Sequence, residues 1–454
     1  MDYYLTEDGS KLFYITPLES GYGLCVMDME EKNVRVLTRG VYGKIIPADN
    51  DNLYIFSGFG ITRISTDSGS QKYISFSGEF DYKAKEEREY IFNHIWKQVK
   101  EKFYVEDLHG ADWEYYKENY SKFLPYINND YDFADMLSEM LGELNGSHTG
   151  ARYRAGSGEN LAKLGAIYDY SYDGDGLKIK EILPDGPLNI ADSEIKAGDI
   201  ILAINGNEIK AGQNWFSLLS GKAGKKTAVT VKKGHKKVEI FLDPIPSEGD
   251  LLYKRWVRQR EEMVEKISGG KIGYVHIEGM DSDSFRELYS KALGKYLTCE
   301  ALIVDTRHNG GGWLHDDLVT FLSGKEYNKF IPRGQFIGHE PFNKWTKPSC
   351  VLIGEDNYSD ASGFPYAYKA LGIGKLIGAP VPGTMTAVWW ESQINPSIVF
   401  GVPQVGTWGN KDGRFLENLQ IEPDVLVYND PASELSGKDI QLETAVKEML
   451  KEIQ

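Results

Sequence analysis

The hydrophobic period of this chain changes three times, and no single layer of secondary structure can satisfy all four regimes. Residues 1–78 alternate apolar and polar positions in short runs, "KLFYIT", "GLCVMDM", "NVRVLTR", "NLYIFSG", "ITRISTD" and "KYISFSG", separated by turns such as Asp8-Gly9. A period of two predicts half-buried strands. The halves of this stretch echo each other, which predicts a repeat of about 40 residues with four strands, like propeller blades. Two blades cannot close a ring, so they pack on something else or follow further blades. From 82 to 155 the period turns helical. Ile91, Ile95, Val99 and Phe103 recur four apart; Phe133, Met136, Leu137, Met140, Leu141 and Leu144 form a second stripe, stopped by Asn145-Gly146. Residues 158–247 return to strands. From 250 to 454 the apolar runs "IGYVHI", "ALIVDT", "CVLIG" and "KLIG" alternate with helical stretches. That alternation predicts an α/β domain with a mostly parallel sheet.

Composition narrows the partners. With 454 residues, 41% hydrophobic and 26% charged, the chain reads as several globular domains. Its formal charge of -16 and its lack of long Lys/Arg runs argue against nucleic acid and against an anionic membrane surface. No apolar run approaches the roughly 20 residues of a membrane span. The three cysteines form no CxxC and no disulfide framework, and HExxH is missing, so no metal and no cofactor are expected. No signal pattern opens the chain. A cytoplasmic protein is expected as written, or a periplasmic or exported one if the chain comes from a longer parent. Oligomerisation is left open.

Four stretches could carry chemistry. In "LGELNGSHTGARY", Ser147 and His148 follow a helix stop, where a rigid backbone suits a general base. His308 and His315, beside the glycine loop, are rival imidazoles, whereas His276 reads as a packing residue in a strand. In "SCVLIGEDNYSDASGFPYAYKALG", Ser359 ends a polar turn and Asp360 opens a helix, whose unpaired N–H groups favour an oxyanion. In "IVDTRHNGGGWLHDD" a strand runs into Gly310 to Gly312, where glycine lets backbone N–H groups approach a ligand. In "GRFLENLQIEPDVLV", Glu417 matters only if it faces an imidazole.

Two resemblances tie these stretches together. "KIKEILPDGPLNIADSEIKAGDIILAINGNEI" resembles a PDZ domain: a strand, a Pro-x-Gly-Pro turn, a short helix, then a strand and an Asn-Gly turn. That implies peptide binding by strand addition, with Leu164 and Gly165 of "KLGAI" where such domains hold a chain-end carboxylate. In order and around this insert, "ELNGSHTGARY", "DTRHNGGG", "NYSDASGFPYAYKALGIGKLIG", "GTMTAVWW" and "LENLQIEPD" resemble the C-terminal half of the tricorn protease family. The resemblance covers about 80 to 454. It implies partial propeller-like strands (1–78), a helical subdomain (82–155), a PDZ-like domain (158–247) and a crotonase/ClpP-like α/β catalytic domain (250–454). It also implies a serine peptidase acting on peptides or unfolded segments. Ser359 would be the nucleophile and His148 the base. Glu417 and Ser147 would support the imidazole. Asp360 and one glycine, Gly311 being chosen, would form the oxyanion hole.

The related C-terminal processing proteases use a Ser-Lys dyad, with the lysine about 25 residues after the serine. Here that position is Thr384, and no lysine occurs between Lys375 and Lys411. A non-catalytic peptide-binding protein is the other alternative; it would keep the architecture and lose the reactive set.

Overall fold

The computed structural model describes every residue except 1, 20, 50, 59, 80, 82, 155, 157, 159 and 191–194. It divides into two compact units, Met1–Lys83 and Ala84–Gln454.

The first unit is two four-stranded antiparallel meanders in tandem, one built from Tyr3–Leu5 to Val34–Arg39, the other from Lys44–Asp49 to Gln71–Ile74. This is the repeat that the alternating runs predict. The meanders share one apolar core, with Phe13, Ile15 and Leu24 from the first against Leu53, Ile55 and Ile64 from the second.

In the second unit, helices Ala84–Lys102, Trp113–Ser121 and Asp130–Gly142 bury the two predicted stripes against each other. Their core is completed from far along the chain by Ile398, Phe400 and Val402. These belong to the strand Ile398–Gly406, which is the centre of a three-stranded antiparallel sheet, between Thr386–Ser392 and Gly150–Tyr153. That weave fixes Ser147-His148, caught between the end of one helix and the first residue of a strand, against the α/β domain.

The PDZ-like domain packs Leu177, Ile179, Ile201, Ile204, Val229 and Val231 inside its sheet, with Ala166–Tyr168 as an edge strand. The short helix expected after the Pro-x-Gly-Pro turn falls on 191–194, outside the described residues.

The α/β domain holds a five-stranded parallel sheet in the order Ile272–His276, Ala301–Asp305, Ser349–Ile353, Lys375–Gly378, Val425–Leu426. Alternate residues feed opposite faces. Leu302, Val304, Val351 and Ile353 meet the helices His315–Leu322 and Asp360–Ala370; Ala301, Ile303, Cys350 and Leu352 meet Gly249–Ser268 and Ile440–Glu452. Both faces are covered, which is why these strands read as continuous apolar runs. All three cysteines are buried free thiols.

Candidate active site

Two loops leave the carboxyl ends of the parallel strands, the usual place for a ligand site in an open α/β sheet, and meet a third segment that follows helix Asp130–Gly142. The first is the nucleophile turn. Ser359 stands just before helix Asp360–Ala370 at φ 56, ψ -124, a conformation that L-residues rarely adopt. Two contacts hold it there. The Ser359 N–H donates to Thr384 Oγ1 at 2.8 Å, and Asn357, fully buried, accepts from Gly354 N–H and donates to Thr306. Strain of this kind, about 1–3 kcal/mol per residue, persists only where its surroundings over-determine it.

The second is the glycine loop. Gly311 lies so close to the turn that a Cβ on it would come within 2.6 Å of Ser359 Cβ. Its N–H, however, donates to Asn309 Oδ1 at 2.8 Å. Gly312 lines a cavity of about 240 Å³ together with Ser359, Asp360 and His148. Among the described residues, neither the Gly312 nor the Asp360 N–H has a hydrogen-bond partner. Asp360 and Gly312 therefore each bring an unpaired backbone donor to the lining of this cavity. The run of three glycines reads alike in sequence; the Asn309 side chain distinguishes them.

The third element is the imidazole and its support. His148, at φ 62, donates its N–H to Tyr358 Oη at 2.7 Å, and the Tyr358 ring packs at 4.8 Å from its own. Gly401 passes so near that a Cβ would lie 2.6 Å from the His148 carbonyl oxygen, so only glycine fits beneath it. Glu417 is buried and takes both donors of Ser147: the N–H at 2.5 Å and the hydroxyl at 3.0 Å. Ser147 Oγ in turn lies 2.9 Å from His148 Nδ1. Thr386 Oγ1 sits 3.0 Å from both His148 Nδ1 and Ser147 Oγ. With its proton given to Glu417, the Ser147 hydroxyl offers lone pairs to the ring, so Nδ1 carries the ring proton and Nε2 is left basic. Burial holds the imidazole below its ordinary pKa of 6.5 and pushes the Glu417 carboxyl above 4.5.

The structure thus brings together Ser147, His148, Ser359, Asp360 and Glu417. Ser359 and His148 share the cavity without a hydrogen bond joining them. Leu164 and Gly165 are elsewhere, in the PDZ-like domain. Leu164 is buried in that domain's core, and the N–H groups of Gly165 and Ala166 donate to Glu248 Oε1 at 2.9 and 3.3 Å. Of the rival histidines, His308 pairs with Asp356 on the surface. His315 lines the cavity, with Nδ1 on Asp360 Oδ1. His276 is buried in its strand between Tyr253 Oη and the Arg307 carbonyl. The sequence reading assigns no role to Thr386 or Tyr358, names Thr384 only as the place of a missing lysine, and prefers Gly311 to Gly312 within the glycine loop, although all four lie inside the stretches that carry the site. The described residues contain no cluster of side chains suited to a metal ion.

A serine on a strained turn, unpaired N–H donors and a hydroxyl-linked carboxylate behind an imidazole are the parts that serine hydrolases use. Residues 271–427 match the Peptidase family S41 model, a family of serine-type peptidases. Residues 84–142 match the Tricorn protease C1 domain and 163–247 the Tricorn protease PDZ domain, so the chain resembles the tricorn proteases along most of its length. It is 26% identical over 372 residues to the Tricorn protease of Thermoplasma acidophilum, covering 80% of this chain and 35% of that one. It is 28% identical over 368 residues to the Tricorn protease homolog 1 of Streptomyces coelicolor, covering 78% and 34%. A crystal structure of the tricorn protease superposes with a TM-score of 0.83 at 22% identity, over 98% of this chain and 46% of that one, and shows the shared fold. The chain spans about a third of the length of these two curated relatives. No helix among the described residues is long and apolar enough to cross a membrane.

Proposed function

We propose that the chain is a serine peptidase that cleaves peptides or unfolded segments through an acyl-enzyme, without a metal. The observation that carries this reading is the unbroken relay Glu417–Ser147–His148 converging with Ser359 on one cavity. His148 Nε2 takes the hydroxyl proton as Ser359 Oγ attacks the carbonyl carbon. The oxyanion forms at the N–H groups of Asp360 and Gly312. The proton then passes from His148 to the leaving amine, and water, activated by the same imidazole, releases the acid. Glu417 stabilises the imidazolium through the Ser147 hydroxyl.

Two further features favour a peptide. The strand Thr386–Ser392 is an edge strand whose first residues, Thr386 to Val388, line the cavity, so an extended chain can pair with it. The PDZ-like domain offers a second strand edge at Ala166–Tyr168. The Ser-Lys alternative lacks its base: Thr384 stands in that place and is bonded to the Ser359 backbone.

Fluorophosphonate labelling with peptide mapping tests the assignment. A single adduct on Ser359, lost in His148→Ala, is expected. A folded protein that takes no adduct and binds peptides without cutting them would be the non-catalytic alternative.

A further inference from the structure

The strand edge of the PDZ-like domain begins at a loop whose donors are already taken. In "KLGAI" the Gly165 and Ala166 N–H groups point to a single oxygen, Glu248 Oε1, at 2.9 and 3.3 Å. The loop carbonyls are tied as well: Leu164 O accepts from Leu188 N–H at 3.1 Å and Gly165 O from Leu183 N–H at 2.9 Å. Gly165 has φ 77, and a Cβ there would meet Pro187 at 2.7 Å, so the loop is held tightly on the Pro-x-Gly-Pro turn. Two consecutive N–H groups on one carboxylate oxygen form a small anion nest.

Glu248 does not reach the nest by chance of a surface rotamer. The segment leading to it is stitched to the strand before the loop, with Lys163 N–H on Ile245 O at 2.8 Å and Ile245 N–H on Lys163 O at 3.0 Å. Immediately after it, Gly249–Ser268 begins, the helix that packs on the catalytic sheet. That helix is bonded to both domains: Arg255 Nε donates to Glu181 Oε1 at 2.7 Å in the PDZ-like sheet, and Tyr253 Oη meets His276 Nδ1 at 3.0 Å in the catalytic sheet.

We propose that Glu248 is the resident ligand of the PDZ chain-end site, and that the terminal carboxylate of a peptide binds there only by displacing it. The inference rests on the peptide-binding reading of this domain, not on Ser359 being reactive. A carboxylate held within the chain is present at a high effective concentration, so a free chain end competes poorly. The competitor is defined by chemistry: an extended peptide with a free α-carboxylate, adding as a strand along Ala166–Tyr168.

The test uses the full chain as Ser359→Ala, so that nothing is cut, with and without Glu248→Ala. The probes are a fluorescent peptide of about six residues ending in leucine and the same peptide ending in its amide, read by anisotropy. With Glu248 in place the two are expected to bind alike. With Glu248→Ala the carboxylate form is expected to gain about tenfold over the amide, in line with charge-assisted bonds to two N–H groups. Glu248→Gln, which keeps an acceptor and removes the charge, gives a smaller preference and serves if the alanine variant unfolds. A tenfold carboxylate preference with Glu248 intact overturns the proposal, because the site is then open. No preference in any variant overturns it too, because the nest is then not a chain-end site. Fluorophosphonate labelling of the single Glu248→Ala variant, with Ser359 present, keeps this outcome separate from a failure of the peptidase reading.

Discussion

Two imidazoles line one cavity and are treated in opposite ways. His315 touches its carboxylate directly, through Nδ1 on Asp360, whose other oxygen accepts the N–H groups of Leu314 and His315 at 2.6 and 2.9 Å. That bond raises the ring above its ordinary 6.5. His148 is kept one hydroxyl away from Glu417, and burial lowers it. A carboxylate in direct contact favours the cation of His315. A carboxylate set back behind Ser147 orients the ring and steadies the cation only once it forms, so the resting imidazole stays neutral and free to accept a proton. The same two residue types thus meet in two arrangements, in direct contact at His315 and through the Ser147 hydroxyl at His148, and on the proposed mechanism only the second ring serves as the base.

The largest effect should come from removing the base. His148→Ala is expected to lower kcat by about 10³-fold or more, whereas His315→Gln lowers it less than about tenfold. Equal losses would break the comparison. Next is Glu417→Gln. The amide would donate to Ser147 Oγ, turn that hydroxyl toward Nδ1 and move the ring proton to Nε2, the wrong tautomer. A drop in kcat of about 10²-fold or more is expected, with KM nearly unchanged. Retained kcat would show that Glu417 only fills space. Thr386→Val should cost about tenfold in kcat and Thr386→Ser should recover most of it, since Thr386 Oγ1 shares the Nδ1 contact with Ser147.

Much of this was legible before the fold was known, and the limit has a physical cause. The α/β domain announced itself because a sheet covered on both faces has unbroken apolar strands. The helical stripes did so because Ile91, Ile95, Val99 and the second run face one core. His148 and Ser359 could be singled out at the ends of elements, whereas Glu417 was one carboxylate among many and took its place only from the family resemblance. Thr386 did not, because a threonine within "GTMTAVWW" carries no charge and follows no period. Its meeting with His148 depends on Ile398–Gly406 pairing with both Thr386–Ser392 and Gly150–Tyr153, a register set across most of the chain. Glu248 was hidden for the opposite reason. An acid just before a helix is ordinary by sequence, and only the fold shows that its carboxylate faces Gly165 and Ala166.

The smallest effect sharpens the comparison most, because it separates the rings by sign. His148 must be neutral and Glu417 ionised for the relay to work, so both protonations shut it down as pH falls. Burial lowers the first from 6.5 and raises the second from 4.5, bringing the two titrations together. The acid limb of kcat/KM should therefore lie below pH 6.5 and fall more steeply than one proton allows. His315 runs the other way. Its folded pKa is raised, so its pairing with Asp360 stabilises the fold fully below the unfolded value of 6.5 and is lost as pH rises through the higher folded value. His315→Gln should then cost stability at acidic pH, about 1 kcal/mol for one charge-assisted bond, and progressively less toward pH 9, in thermal melts. It should leave the acid limb of kcat/KM where it was. A limb displaced by His315→Gln would mean that the ring in contact with its carboxylate, and not the ring held one hydroxyl away, takes the proton from Ser359.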